Sequence, residues 1–199
     1  IENCASGGHR LEPSLVKLTA MSSFSDAHEC REIPYITANL HQLMLPRQCQ
    51  VWAVLSPELE LKEIQYRLVS GILGRCCLSG PVQDLNTEQW REVEDAMRFY
   101  GKVREIIKKG RSRLVRTGRN NQHHLEGAQI LFREMDGKVL VIYHAFSNPP
   151  TSIGGTLPEG KWKITDAFGR KCRLELGKGE LKIWPQDSWE AGAVYLERG

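Results

Sequence analysis

Cys49-Gln50-Val51-Trp52-Ala53-Val54-Leu55 carries one amide among otherwise apolar side chains. It is too short for a core helix and suits a strand buried on both faces. After Pro57 the spacing changes, and Ile64, Leu68, Ile72 and Cys76 recur at helical intervals. On this reading Cys76 and Cys77 lie on the helix. Upstream, Ile33, Ile36, Leu40 and Leu43 show the same period. A buried strand between helical patterns predicts βα units and a parallel sheet. The clearest helix runs over 87–109, with Trp90, Val93, Met97, Tyr100, Val103 and Ile107 along one face. Asn86 stands at the N-cap position three residues before Gln89, and Lys108-Lys109-Gly110 suits a C-terminal end.

Beyond residue 125 the pattern is all-β. Ala128–Phe132 and Val139–Phe146 flank Asp136-Gly137, a hairpin signal. Lys161–Ala167, Cys172–Leu176, Leu181–Trp184 and Ala193–Leu196 alternate over short spans punctuated by glycines. Closely spaced short strands predict a small antiparallel sandwich. The polar stretch 110–125 reads as the linker between the two parts.

The 199 residues allow one large domain or two small ones. Hydrophobic and charged fractions of 41% and 26% are those of an ordinary globular protein. No window approaches the roughly 18 apolar residues of a membrane span, so no membrane partner is expected. A net charge of +3 asks for no polyanion. Cysteines at 4, 30, 49, 76, 77 and 172 form no C-x-x-C pair, which favours a reduced, cytoplasmic setting over a disulfide framework.

Two polar clusters could carry chemistry. Cys4-Ala5-Ser6-Gly7-Gly8-His9-Arg10 has small residues that let a backbone approach a ligand. Ser23-Phe24-Ser25-Asp26-Ala27-His28-Glu29 follows one short helical pattern later, so loops at the ends of adjacent parallel strands would face one pocket. Asp26 and Glu29 are candidates for acid/base work, with His28 as a rival. Equally, Asp26 could cap a helix with Glu29 as its capping-box partner.

Glu2-x-Cys4-x-Ser6-Gly7-Gly8-x-Arg10 followed by Phe24-Ser25-Asp26 resembles the paired signature of glycoside hydrolase family 36 α-galactosidases, E-x-C-x-S-G-G-G-R and then W-[TS]-S-D-x-T-D. Arg75-Cys76-Cys77-Leu78-Ser79-Gly80 through Asp84-Leu85 is similar to a later stretch of that family's barrel. The resemblance implies the C-terminal part of a catalytic (β/α)8 barrel over 1–115 and a C-terminal β-sandwich over 116–199. It implies a cofactor-free retaining exo-α-galactosidase acting on α-galactoside oligosaccharides, in which Asp26 is the general acid/base. Cys4, Ser6, Gly7 and Arg10 then line the galactose subsite, and Phe24 stacks on the sugar in place of tryptophan. The family's nucleophilic aspartate belongs to a K-x-D motif on an earlier strand. The chain opens at Ile1 directly into the motif, so it is expected to be part of a longer protein and inactive alone. Homo-oligomers are common in the family and are an expectation for the intact enzyme. His9 replaces the third glycine and Ala27-His28-Glu29 replaces x-T-D. These departures leave an α-N-acetylgalactosaminidase or another α-glycosidase of the clan open.

Lys102–Arg119 holds eight basic residues, but no aromatics interleave with them past Tyr100, and a solvated helix end and linker is the simpler reading, with no nucleic-acid partner. His123-His124 and the cysteines match no common zinc spacing, and no metal is expected. Trp162, Trp184 and Trp189 fit packing or, in a non-catalytic alternative, a carbohydrate-binding face.

Overall fold

The computed structural model describes residues 1–4, 8–26, 30–118, 120–121, 123–177 and 179–199. Its first part is a parallel sheet in the order β1-β2-β3-β4, comprising β1 (Glu2–Cys4), β2 (Met21–Ser23), β3 (Cys49–Val54) and β4 (Arg75–Ser79). Helices α1 (Pro13–Val16), α2 (Ile33–Leu40) and α3 (Leu61–Ile72) occupy the connections, and α4 (Thr87–Lys109) follows β4. Among the described residues β1 and β4 pair on one side only, so the sheet stays open and this chain closes no barrel.

Two antiparallel sheets follow. Strands β5 (Arg111–Thr117), β6 (Ala128–Met135), β7 (Lys138–Ala145), β9 (Trp162–Gly169) and β12 (Ala191–Arg198) pair in the order β5-β6-β7-β12-β9. A smaller sheet, β10-β11-β8, is built from β8 (Ile153–Thr156), β10 (Arg173–Leu176) and β11 (Glu180–Trp184). This is the antiparallel sandwich that the strand pattern predicts. Asp136 and Gly137 form the β6–β7 turn with φ of 32° and 73°, the positive pair that a two-residue hairpin loop needs.

The larger sheet is covered on both faces. Leu131, Leu140, Ile142, Ala193 and Tyr195 pack against α3 and α4, while Ile130, Phe132, Val139, Val141, Val194 and Leu196 pack toward the small sheet. Period-two alternation puts one set on each face, and double burial explains the nearly continuous apolar run of β7. Helix α3 joins the two parts, because Ala53 and Leu55 share its core with the five-stranded sheet.

Several readings need correction. Cys76 and Cys77 lie on β4, not on a helix. Helix α3 ends at Ile72 because the chain must pass Gly74, where a β-carbon would sit 2.6 Å from the Cys49 carbonyl oxygen. The 110–125 stretch is not all linker, since Arg111–Thr117 pairs with β6 as an edge strand. Charged residues are what an edge strand carries, and here they hid it. Helix α4 has the expected ends, with Asn86 Oδ1 accepting from Glu88 and Gln89 amides and Gln89 Oε1 accepting from the Asn86 amide. Its buried stripe is rotated from the expected one: Ala96, Phe99 and Ile106 are inside, whereas Trp90 is 44% exposed.

Candidate functional site

Parallel strands deliver their C-terminal ends to one edge of a sheet, and here Cys4 and Ser23, the last residues of β1 and β2, stand side by side. Thr19 Oγ1 and Ser22 Oγ lie 3.1 Å apart, and Gln48 Nε2 donates to the carbonyls of Val16 and Thr19, which fixes the entry to β2. Trp52 Nε1 donates to Ser23 Oγ at 3.1 Å and fixes its exit. Asn3 Nδ2 donates to the Arg10 carbonyl at 2.7 Å, closing the loop after β1 on itself.

The two loops touch. Gly8 has φ of +97°, and a β-carbon on it would lie 2.7 Å from the Phe24 carbonyl oxygen. Only glycine meets both demands, a left-handed backbone and a bare approach to a neighbouring strand end.

Asp26 is exposed at this edge, and so are Cys4 and Arg10. Helix α2 begins only at Ile33, with Glu32 at its N-cap and no capping side chain. Asp26 is therefore not the cap of α2. Ser6, Gly7, His28 and Glu29 lie outside the described residues. Phe24 departs from expectation: it is 4% exposed and packs with Val16, Ile33, Met44, Cys49 and Val51. Its ring fills the core between β2 and α2 and presents no face for a sugar to stack on.

The aromatic rings of the sandwich carry arginines. Guanidinium carbons stand 5.4 Å from the Trp162 ring centre (Arg198), 4.5 Å from Trp184 (Arg173) and 4.6 Å from Trp189 (Arg31). A sugar meeting those faces would displace a cation–π contact. Much of the basic run 102–119 is also engaged within the protein. Lys102 pairs with Asp166, Lys109 with Glu105 and Arg113 with Glu134, and Arg116 donates to Asn39 Oδ1, Gln129 Oε1 and the Tyr35 carbonyl.

Sequence reasoning missed the buried polar groups behind the site. Arg133 is fully buried with no carboxylate ion pair among the described residues; Nη2 donates to the Leu73 carbonyl at 3.0 Å and Nε to Ser112 Oγ at 3.2 Å. Burial lowers its pKa to about 10. His41, beside it, is driven down to about 3 by burial and then by that guanidinium. His144 is buried against Tyr66, ring centres 5.3 Å apart and edge-on, with burial lowering its pKa to about 3. Both arginine and histidine sit at positions of alternating strands that face the helices. Their polarity gave no sequence signal for burial.

No protein-family model and no curated protein sequence matches this chain. Its fold does match solved structures. The galactosidase domain of the α-galactosidase–sucrose kinase AgaSK matches over 100% of this chain with TM-score 0.72 and 14% identity. A family 36 α-galactosidase AgaA variant from Geobacillus stearothermophilus, in complex with raffinose, matches over 100% with TM-score 0.75 and 14% identity. AgaB from the same organism matches over 97% with TM-score 0.70 and 13% identity. The chain spans 28% of the length of each, and the match falls in their C-terminal part. At such identities the likeness carries the fold.

Proposed function

We propose that this chain is the C-terminal portion of a retaining α-galactosidase-type glycoside hydrolase. In this reading its four parallel strands are part of a (β/α)8 barrel whose other strands lie elsewhere in a longer protein. The observation that carries the reading is the contact of the two signature loops at Gly8 and Phe24, at the strand end where barrel enzymes do chemistry, in a chain whose whole length shares the fold of α-galactosidases. Asp26 acts as general acid, giving its proton to the departing glycosidic oxygen while an aspartate outside these residues attacks the anomeric carbon. It then acts as base and activates the water that releases galactose with retained configuration. Cys4, Ser6, Gly7 and Arg10 line the sugar subsite. Phe24 supports the loop from below. One carboxylate of a pair that must stand about 5 to 5.5 Å apart cannot turn over substrate, so residues 1–199 alone are inactive.

The test is azide rescue. In the full-length protein Asp26→Asn hydrolyses an aryl α-galactoside slowly, and added azide restores turnover and yields α-galactosyl azide. Wild-type rates in Asp26→Asn, with no azide adduct, refute the assignment.

A further inference from the structure

Residues 31–39 are held at four places, three times by the sandwich and once by α3. The Arg31 guanidinium lies over Trp189, whose ring is backed by Phe146 with centres 6.3 Å apart. Tyr66 Oη donates to the Arg31 carbonyl at 3.3 Å, and the Tyr66 ring rests edge-on against His144 of β7. Gln129 of β6 donates through Nε2 to the Pro34 carbonyl at 2.9 Å. Arg116 of β5 donates to the Tyr35 carbonyl and to Asn39, and covers the Tyr35 ring at 4.2 Å.

Trp189 is itself built to stay in place. Its φ is +58°, in the left-handed region that a bulky residue adopts only when its surroundings impose it. On either side the turn is tied down: Asp187 pairs with Lys62 of α3, and the buried Glu190 carboxylate accepts from the Gln186 amide at 2.9 Å. Burial raises the Glu190 pKa. The loop 185–190 is a rigid bracket reaching from β12 to the segment beside the candidate site.

Taken with the proposed role of Asp26, on which this inference rests, we infer that Trp189 and Arg31 are positioning residues for the acid/base loop, and that the sandwich tunes catalysis through them. Arg31 follows Asp26 by five residues, a span of at most about 18 Å when extended. The clamp fixes one end of that short tether and β2 fixes the other.

A displaced acid is felt most where the leaving group needs a proton most. Misplacement by about 1 Å can cost roughly 10²-fold, and general acids contribute about 10²–10⁴-fold. The experiment measures kcat/KM of the full-length protein across aryl α-galactosides of rising leaving-group pKa. Asp26→Asn serves as the reference for complete loss of the acid. Trp189→Ala and Arg31→Ala are expected to lose about tenfold or more on the poorest leaving groups and little on the most activated. Trp189→Phe, which keeps a ring beneath Arg31, is expected to restore most of that loss. Hydrogen exchange provides a readout besides activity: amides between Phe24 and Ile33 should exchange faster in Trp189→Ala. If Asp26→Asn shows leaving-group dependence but Trp189→Ala loses equally on all substrates or not at all, the positioning role is overturned and the acid/base reading survives. If Asp26→Asn shows none, both fall. Unchanged exchange over 24–33 in Trp189→Ala also overturns the inference.

Discussion

Replacing His144 with phenylalanine should flatten the acid side of the stability curve. Ser70 Oγ donates its one proton to the Tyr66 carbonyl at 2.8 Å, so the 3.2 Å contact with His144 must use an Nε2–H donor. Nδ1 is then an acceptor, buried and without a hydrogen-bond partner among the described residues. Protonating it would place a cation in the core beside Tyr66, and burial holds the folded-state pKa down to about 3. The folded value lies below the unfolded one of about 6.5, so as pH falls the unfolded chain takes up its proton first. Stability from this group is present above about 6.5 and is lost progressively from there down to about 3. Between pH 7 and pH 5 the loss is about 2 kcal/mol for one such histidine. Phenylalanine keeps the edge-on ring contact, removes the unpaired acceptor and gives up one neutral hydrogen bond, two opposing changes of about 1 kcal/mol each. At pH 7 the variant should therefore match the wild type to within about 1 kcal/mol. At pH 5 it should be relatively better by a further 2 kcal/mol or so. Urea denaturation from pH 4.5 to 8 reads this directly. Other titrating groups, including His41 with its own depressed pKa and Glu190 with its raised one, are common to both proteins and cancel in the difference. Parallel curves for the two proteins would refute the argument.

Two further substitutions test the packing that holds the site. Gly80 has φ of +86°, and a β-carbon there would lie 2.2 Å from the Leu55 carbonyl oxygen at the exit of β3. Gly80→Ala should destabilise by about 2–4 kcal/mol, seen as a lower urea midpoint with unchanged slope. Arg133→Met should stay within about 1 kcal/mol of wild type, because relief of a charge disfavoured by about 3 kcal/mol offsets the lost hydrogen bonds to Ser112, Leu73 and His41. Arg133→Ala, which adds a cavity, should cost about 3–5 kcal/mol more, and thermal melts distinguish the pair.

The elements that were legible in the sequence are those whose local chemistry and tertiary role agree. Asn86 and Gln89 cap α4 in the structure with the bonds their types prescribe, and Asp136-Gly137 turns the hairpin that its dipeptide specifies. Where local pattern and packing diverge, the reading slipped. Cys76 continues the helical period of Ile64, Leu68 and Ile72, yet the chain has already turned at Gly74. Strand β5 carries Arg111, Arg113 and Arg116 because its edge meets solvent and polar partners, a composition shared with linkers. The proximity of the loops after β1 and β2 was legible from motif order, since parallel strands bring such loops together. That Phe24 points inward was not, because an aromatic beside Asp26 suits a core and a sugar platform equally well.

The polar groups that sequence reasoning overlooked share one location, and it explains why they are there. Arg116, Gln129, Arg133 and His144 all project from the five-stranded sheet toward α2 or α3; Arg116, Gln129 and His144 meet a backbone carbonyl or side chain of those helices, and Arg133 meets the Leu73 carbonyl just past the end of α3. An apolar interface would hold the two parts together by area alone, without specifying how far α2 slides along the sheet. Directional bonds to the carbonyls of Pro34, Tyr35 and Leu73 fix that register to within hydrogen-bond tolerance. A buried arginine without a carboxylate contributes little net stability, so what this interface gains from Arg133 is placement. Helix α2, so placed, begins seven residues after Asp26, and in a glycosidase the acid must stand within hydrogen-bond reach of one particular oxygen.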